Sequence, residues 1–313
     1  MTPVRSLRCD SFLFVTFLFA GPASAQGIPR APRLHAGQTL IYQLEISGSR
    51  STKVESSVTG QQSEPAANLN SIGLLQVNLA EIRASGFYLK TYLSDKGASR
   101  PSAEASSEPD KLVEVLVSFD GTASGIKGLD QLSAAQQYAW TVWLNRFTTS
   151  MMFPNSGVHQ GQRWRTSEPE TASSLIAGLS WEGKYEYVKQ DACPLYDFGG
   201  SIYKSRKSQS EQDICAVIFV RAQLRQKSSL KDATPQEYKL RSLSTRGTAT
   251  GTNETVLYIS MSTGILIRST EDVQQSMDAT VALQDGSNKV RYVINAKSHS
   301  QVQLLPDAAQ DIH

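Results

Sequence analysis

Histidine and cysteine are scarce in this chain, which contains four histidines and three cysteines among 313 residues. None of the histidines has a second ligand-type residue nearby at the spacing that metal sites use. Catalytic and cofactor motifs are also missing, including G-x-S-x-G, S-x-x-K, H-E-x-x-H, the phosphate-binding loop and G-x-G-x-x-G. The sequence therefore predicts no catalytic, cofactor-binding or metal-binding residues, and a protein that is not an enzyme.

An excess of charge of one sign is missing as well. The chain has 31 Lys and Arg residues against 29 Asp and Glu residues, and no block of like charge. Binding to nucleic acid or to an anionic membrane surface needs a concentrated basic patch. We therefore expect no nucleic-acid partner.

A long hydrophobic run is absent too. The most apolar segment, Phe12 to Ala20, is shorter than the roughly 20 residues that a membrane-spanning helix needs. Two arginines precede this segment and the tripeptide A-S-A follows it, which is typical of a secretory signal peptide. The pattern predicts cleavage between Ala25 and Gln26, removal of residues 1–25 with Cys9, and an exported, soluble mature protein without a transmembrane segment. We expect it to be periplasmic or extracellular.

The two remaining cysteines, Cys193 and Cys215, are predicted to form a disulfide. Their spacing does not suit a C-x-x-C redox centre or a four-ligand zinc site, and an oxidising compartment favours pairing. A bridge closing about 23 residues would contribute roughly 3 kcal/mol by restricting the unfolded chain.

Alternation of apolar and polar residues dominates the chain from Thr39 onward, and this pattern is typical of half-buried antiparallel strands. The polar segments 61–70 and 94–110 are predicted to be loops, the second partly disordered. A tight turn at Ser262–Gly264 indicates a hairpin. The predicted strands are 39–47, 51–59, 73–82, 87–93, 111–119, a short strand within 158–166 that carries Trp164, 179–190, 214–224, 237–251, 254–261, 264–284 and 288–304.

One long amphipathic helix is predicted over about 129–152, because this segment lacks Gly and Pro and its large residues recur at helical spacing. The expected fold is mainly β, with a large curved antiparallel sheet or half-barrel and this helix packed on it. Residues 26–305 are predicted to form one domain, either as a unit or as two similar halves joined by the helix. Residues 306–313 are expected to be a flexible tail.

The order of several short motifs resembles that of secreted bacterial β-rich proteins of unknown function. These motifs are G-Q-T-L-I-Y, a D-G turn before the helix, F-P, G-x-x-W at Gly161 and Trp164, and S-T-G-I-L. A curved sheet covered by an apolar helix is also loosely similar to the lipoprotein-carrier half-barrels of the bacterial envelope. That resemblance implies that acyl chains could lie between sheet and helix, but no functional residue of the family matches a position here.

Two functions of different class follow from this pattern. In the first, the apolar helix face and inward strand residues enclose a lipid or another apolar small molecule, since aromatic and Met side chains suit such a ligand. In the second, the same residues form a packed core, and the protein is a structural or partner-binding component of the cell envelope. The helix face comprises Trp140, Trp143, Leu144, Phe147 and Met151, and the strand residues are Leu40, Tyr42, Leu44, Val115 and Val117.

Overall fold

A computed structural model of the chain describes residues 28, 32–57, 60–94, 111–154, 158–169, 174–194, 197–198, 201–202 and 213–305. The predicted signal peptide with Cys9 and its cleavage site, the tail 306–313 and nearly all of the loop 94–110 lie outside these residues. The structure therefore does not test the predictions for these segments.

The described part of the chain is mainly β, and it contains one helix longer than two turns. The strands are β1 (Thr39–Ser56), β2 (Gly60–Arg83), β3 (Gly86–Ser94), β4 (Lys111–Ser118), β5 (Ala123–Lys127), β6 (Arg163–Pro169), β7 (Leu179–Ala192), β8 (Asp197–Phe198), β9 (Ser201–Ile202), β10 (Ile214–Gln226), β11 (Leu243–Ser260), β12 (Leu266–Leu283) and β13 (Val290–Leu304). The helices are α1 (Ala134–Thr149) and the single turn α2 (Gln236–Lys239), and a 3-10 turn occupies Leu129–Gln131.

One antiparallel sheet contains 11 strands in the order β5-β4-β3-β2-β1-β13-β12-β11-β10-β7-β6. Strands β5 and β6 are its two edges, so the sheet of the described residues is not closed. Because α1 follows β5 and precedes β6, the chain passes from one edge to the other through the helix. The helix contacts β1, β2, β12 and β13, and we call the face of the sheet that it covers the inner face.

Several strand bounds differ from the predicted ones. The predicted strands 39–47 and 51–59 form the single strand β1, and β11 begins at Leu243 and runs without a break to Ser260, whereas β12 and β13 each begin two residues later than predicted. Residues 61–70 were predicted to be a loop but belong to β2. This segment has little apolar alternation, and its pairing with β1 through backbone hydrogen bonds makes it a strand. The pairing of β1 with β2 shifts between Arg50 and Thr52, opposite the segment that contains Pro65. A bulge accommodates proline there, since proline has no N–H for the ladder. The predicted hairpin at Ser262–Gly264 is confirmed by the pairing of β11 with β12.

The helix is shorter than the predicted range 129–152. It begins at Ala134 because the Ser133 side chain accepts a hydrogen bond from the Gln136 N–H while the Gln136 side chain accepts one from the Ser133 N–H. This reciprocal capping box fixes the start of a helix, and Leu129–Gln131 forms a separate 3-10 turn. The helix is also less one-sided than predicted, since only a narrow stripe with Tyr138, Thr141 and Asn145 is exposed near its middle.

Candidate ligand-binding groove

The large side chains of α1 fill the space between the helix and the inner face. Trp140, Trp143 and Phe147 are essentially inaccessible to solvent, and the ring of Trp143 lies 5.2 Å from that of Phe147 and 6.1 Å from that of Tyr42. The other residues of the predicted ligand face and of the strands opposite are buried in the same cluster: Leu144, Met151, Leu40, Leu44, Val115 and Val117. These residues form a packed core.

Two buried polar groups of this core, Trp140 Nε1 and the Tyr42 hydroxyl, have fixed hydrogen-bond partners, whereas the Trp143 Nε1–H has none among the described residues. The Trp140 Nε1–H donates to Thr91 Oγ1 at 2.8 Å, and the Thr91 hydroxyl donates to the Val113 carbonyl at 2.9 Å. The Tyr42 hydroxyl donates to the Leu266 carbonyl at 3.1 Å, and burial raises the pKa of this phenol far above its usual value. Such bonds hold the helix and the strands in one arrangement, because an unpaired buried donor is costly.

A polar cluster ends the helix-covered part of the inner face. Arg146 of α1 forms an ion pair with Glu271 of β12, whose side chains are 15% and 7% exposed. Glu271 also accepts hydrogen bonds from the Asn253 amide at 2.5 Å and the Ser300 hydroxyl at 3.3 Å. Three adjacent strands, β11, β12 and β13, therefore converge on one carboxylate beneath the helix.

Beyond this cluster the inner face carries an open groove with a cavity volume of about 910 Å³, which we call the inner groove. Side chains alternate between the two faces of a strand, so residues two apart along β12 and β13 continue the same face. Val273 and Ser298 thus follow Glu271 and Ser300 and are the first groove residues. The apolar lining comprises Val54, Ala67, Leu69, Leu175, Leu179, Leu224, Ala249, Val273, Met277, Tyr292, Ile294 and Ala296.

The residues of the predicted ligand face are not part of this lining. From α1 only Tyr138 lines the inner groove, and its hydroxyl lies 3.4 Å from the Ser298 Oγ of β13. The sequence interpretation placed the ligand beneath Trp140 and Phe147, whereas the open volume lies beside the helix. The signal that could have found it is the inward alternation of Tyr292, Ile294 and Ala296 along β13.

A second apolar cluster forms the far wall of the inner groove. It contains Ile176, Leu179, Leu224, Ala249 and Ala279, with Leu175, Trp181 and Met277 packed against it. Gly251 makes room for this wall, since a Cβ atom there would lie 2.9 Å from the Trp181 ring. The small residues on β11 therefore allow large side chains of β7 to lie across the sheet.

The charged residues of the lining carry one sign. They are Arg50 of β1 and Lys297 of β13, and the part of the lining that the structure describes includes no acidic residue. Arg50 is paired with Ala296 across the ladder, which places its side chain on the inner face with Ala296. Lys297 is one residue further, so its side chain projects from the opposite face.

The outer face bears a smaller polar depression of about 440 Å³. In it, His299 Nδ1 lies 2.9 Å from Asp272 Oδ1 within hydrogen-bonding distance, and both side chains are at least half exposed. Ser47 lies opposite His299 in the ladder, but no described hydrogen bond joins its hydroxyl to the imidazole. Such an exposed pair contributes little, because water screens it.

The predicted disulfide is confirmed. Cys193 follows the end of β7 and Cys215 lies near the start of β10, with 4.8 Å between their Cα atoms. The strands β7 and β10 are neighbours, so the bridge joins two strands that already pair. It lies at the end of β10 opposite to Leu224, outside the lining of the inner groove.

Within the described ranges, no group of three or more His, Cys, Asp and Glu residues could hold a metal ion. None of the described helices combines the length and apolar character that crossing a membrane requires.

Comparison with known proteins leaves the chain without a family assignment. No protein-family model matches it, and no curated protein sequence matches it. Among solved structures it is similar to the outer membrane protein OprG from Pseudomonas aeruginosa, with 8% identity over 88% of this chain and 99% of that chain and a TM-score of 0.20. Ail, the attachment invasion locus protein of Yersinia pestis, matches with 8% identity over 85% of this chain and 99% of that chain, at a TM-score of 0.11. At these TM-scores the similarities carry no argument about fold or function.

Proposed function

We propose that this chain is an exported, non-enzymatic binding protein that holds the apolar chain of a small amphiphile in the inner groove. The observation that carries the proposal is the groove itself, whose volume of about 910 Å³ falls within the usual range of ligand pockets. Its aliphatic floor and walls would bury a flexible hydrocarbon chain without requiring directional contacts.

The packed core beside the groove supports this function. Because Trp140, Trp143 and Phe147 are already buried against the sheet, the helix does not need to open for a ligand to enter. The ligand would contact Tyr138 at one end and the Leu179 and Leu224 wall at the other. Binding to a preformed site of this kind costs little conformational entropy of the protein.

Export is proposed from two features of the chain. The N-terminal segment has the three parts of a signal peptide. The Cys193–Cys215 bridge suits an oxidising compartment, where disulfides persist.

Native mass spectrometry of protein purified from the exporting compartment under non-denaturing conditions tests the proposal. We expect a bound small molecule that is removed by delipidation and rebinds when dodecanol is added. Ala296→Trp adds bulk to the groove floor and should abolish rebinding. Asn295→Trp introduces the same side chain one residue away, on the outer face, and should leave rebinding intact.

The alternative is a structural or partner-binding envelope component with no small ligand. In that case the purified protein would be empty and would not take up dodecanol. Equal rebinding by the Ala296→Trp and Asn295→Trp variants, both verified as folded by circular dichroism, would also contradict the groove as the site.

A further inference from the structure

The inner groove is apolar along most of its lining, yet a cation lies in its floor. Arg50 projects from β1 between the small side chains of Ala67 on β2 and Ala296 on β13, its partners across the two ladders. Small neighbours leave the guanidinium accessible from the groove, and Arg50 is exposed. A bound chain that lies along Ile294 and Met277 would therefore pass within reach of this charge.

Arg50 has no carboxylate partner among the described residues. Several other arginines on the surface of the sheet do have one: Arg163 contacts Glu186, Arg221 contacts Glu254, and Arg291 contacts both Glu55 and Asp278. Arg165 and Arg246 resemble Arg50 in having none among the described residues, but they do not line the groove. A guanidinium has a planar set of donors that matches a carboxylate or phosphate group. Within the described residues, the groove thus combines an apolar wall with a guanidinium that no carboxylate contacts.

We propose that the ligand is a single-chain anionic amphiphile, and that Arg50 binds its head group while the chain lies on the apolar lining. This inference rests on the proposed function, since it concerns the occupant of the same groove. A neutral amphiphile would gain only the apolar contacts, and a cationic one would be repelled by Arg50, the charged residue of the lining whose side chain lies on the inner face.

Isothermal titration calorimetry near neutral pH and at low ionic strength tests the inference with three probes of one chain length, dodecanoate, dodecanol and dodecylammonium, each below its aggregation concentration. We expect dodecanoate to bind about tenfold more tightly than dodecanol, as a charge-assisted hydrogen bond predicts, and dodecylammonium to bind most weakly. Added salt should reduce the advantage of dodecanoate and leave dodecanol binding nearly unchanged.

Arg50→Gln should lower the affinity for dodecanoate to that for dodecanol. Lys53→Gln is the matched control, because it removes the same charge from the same strand on the opposite face, where Lys53 contacts Glu55. It should change neither affinity by more than about twofold.

The outcomes separate the two proposals. Equal binding of dodecanoate and dodecanol, or an Arg50→Gln variant that retains the preference, would overturn the anionic head group and leave the apolar groove standing. Failure of all three probes to bind would overturn both.

Discussion

Arg146 on α1 and Glu271 on β12 form an ion pair where the packed core beneath the helix meets the inner groove. The carboxylate also accepts hydrogen bonds from Asn253 and Ser300. The pair therefore links the helix to the middle of the sheet, and it separates a region with little free volume from the one that remains open.

Removing one partner of this pair should destabilise the protein strongly. We expect Glu271→Leu to reduce the free energy of unfolding by about 3–5 kcal/mol, because it leaves the Arg146 charge buried without compensation. The double variant Arg146→Met, Glu271→Leu should regain most of that loss, since it leaves no buried charge. Urea unfolding of Glu271→Leu, Arg146→Met and the double variant measures the energetic coupling between the two side chains. Strictly additive losses of stability would contradict that coupling.

The hydrogen bond between Trp140 and Thr91 offers a second test. Thr91→Val keeps the shape of the side chain but leaves the Trp140 N–H unpaired, and should cost about 1–3 kcal/mol. Thr91→Ser retains the hydroxyl and should cost less, despite the lost methyl group. Thermal unfolding compares the two variants, and a serine variant less stable than the valine variant would show that the hydroxyl is unimportant.

The pH dependence of stability should include a contribution from Asp278. Two hydrogen bonds from Arg291, of 2.9 and 2.6 Å, lower the pKa of this carboxyl in the folded state. A lowered folded-state pKa gives stability that is present above the unfolded value of about 3.9 and is lost as the pH falls through the folded value.

Arg291→Gln should therefore weaken the loss of stability between about pH 6 and about pH 2, by less than about 1 kcal/mol because the pair is half exposed. Urea unfolding at both pH values measures this difference. Identical changes in wild type and variant would exclude the contribution. Since Arg291 also contacts Glu55, the same measurement on Glu55→Gln separates the Asp278 contribution from that of Glu55.

The disulfide should leave no free thiol in the mature protein. Thiol titration under denaturing, non-reducing conditions should detect none in exported material, and two free thiols would contradict the pairing. Replacing both cysteines by serine should cost up to about 3 kcal/mol by the loop-closure estimate.

The mainly β character and the disulfide were predictable from the sequence, because alternation and cysteine pairing are local signals. The start of α1 also had a local signal, the capping box of Ser133 and Gln136. The pattern of helix-forming residues continues back to Leu129, so the predicted helix began too early. The extension of β2 through residues 61–70 was not predictable, because the bonds that hold it come from β1.

The position of the groove had one local signal, the inward alternation of Tyr292, Ile294 and Ala296 along β13, but its remaining walls come from other strands. A cluster of Trp140, Trp143 and Phe147 has the same composition whether it covers a ligand or packs against strands. The groove depends on the register that brings Val54, Met277 and Ile294, from distant parts of the chain, onto one face. Such a set of neighbours is a property of the sheet and not of any one segment.

Methyl NMR of the Ile, Leu, Val and Met side chains during titration with dodecanol shows directly whether the inner groove is the binding site. Binding in the inner groove should shift the methyl signals of Ile294 and Met277, while those of Leu44 and Leu257 in the packed core stay in place. Largest shifts at Leu44 and Leu257 would place the ligand beneath the helix, and no shifts at all would show that the groove does not bind dodecanol. Either result would contradict ligand binding in the inner groove.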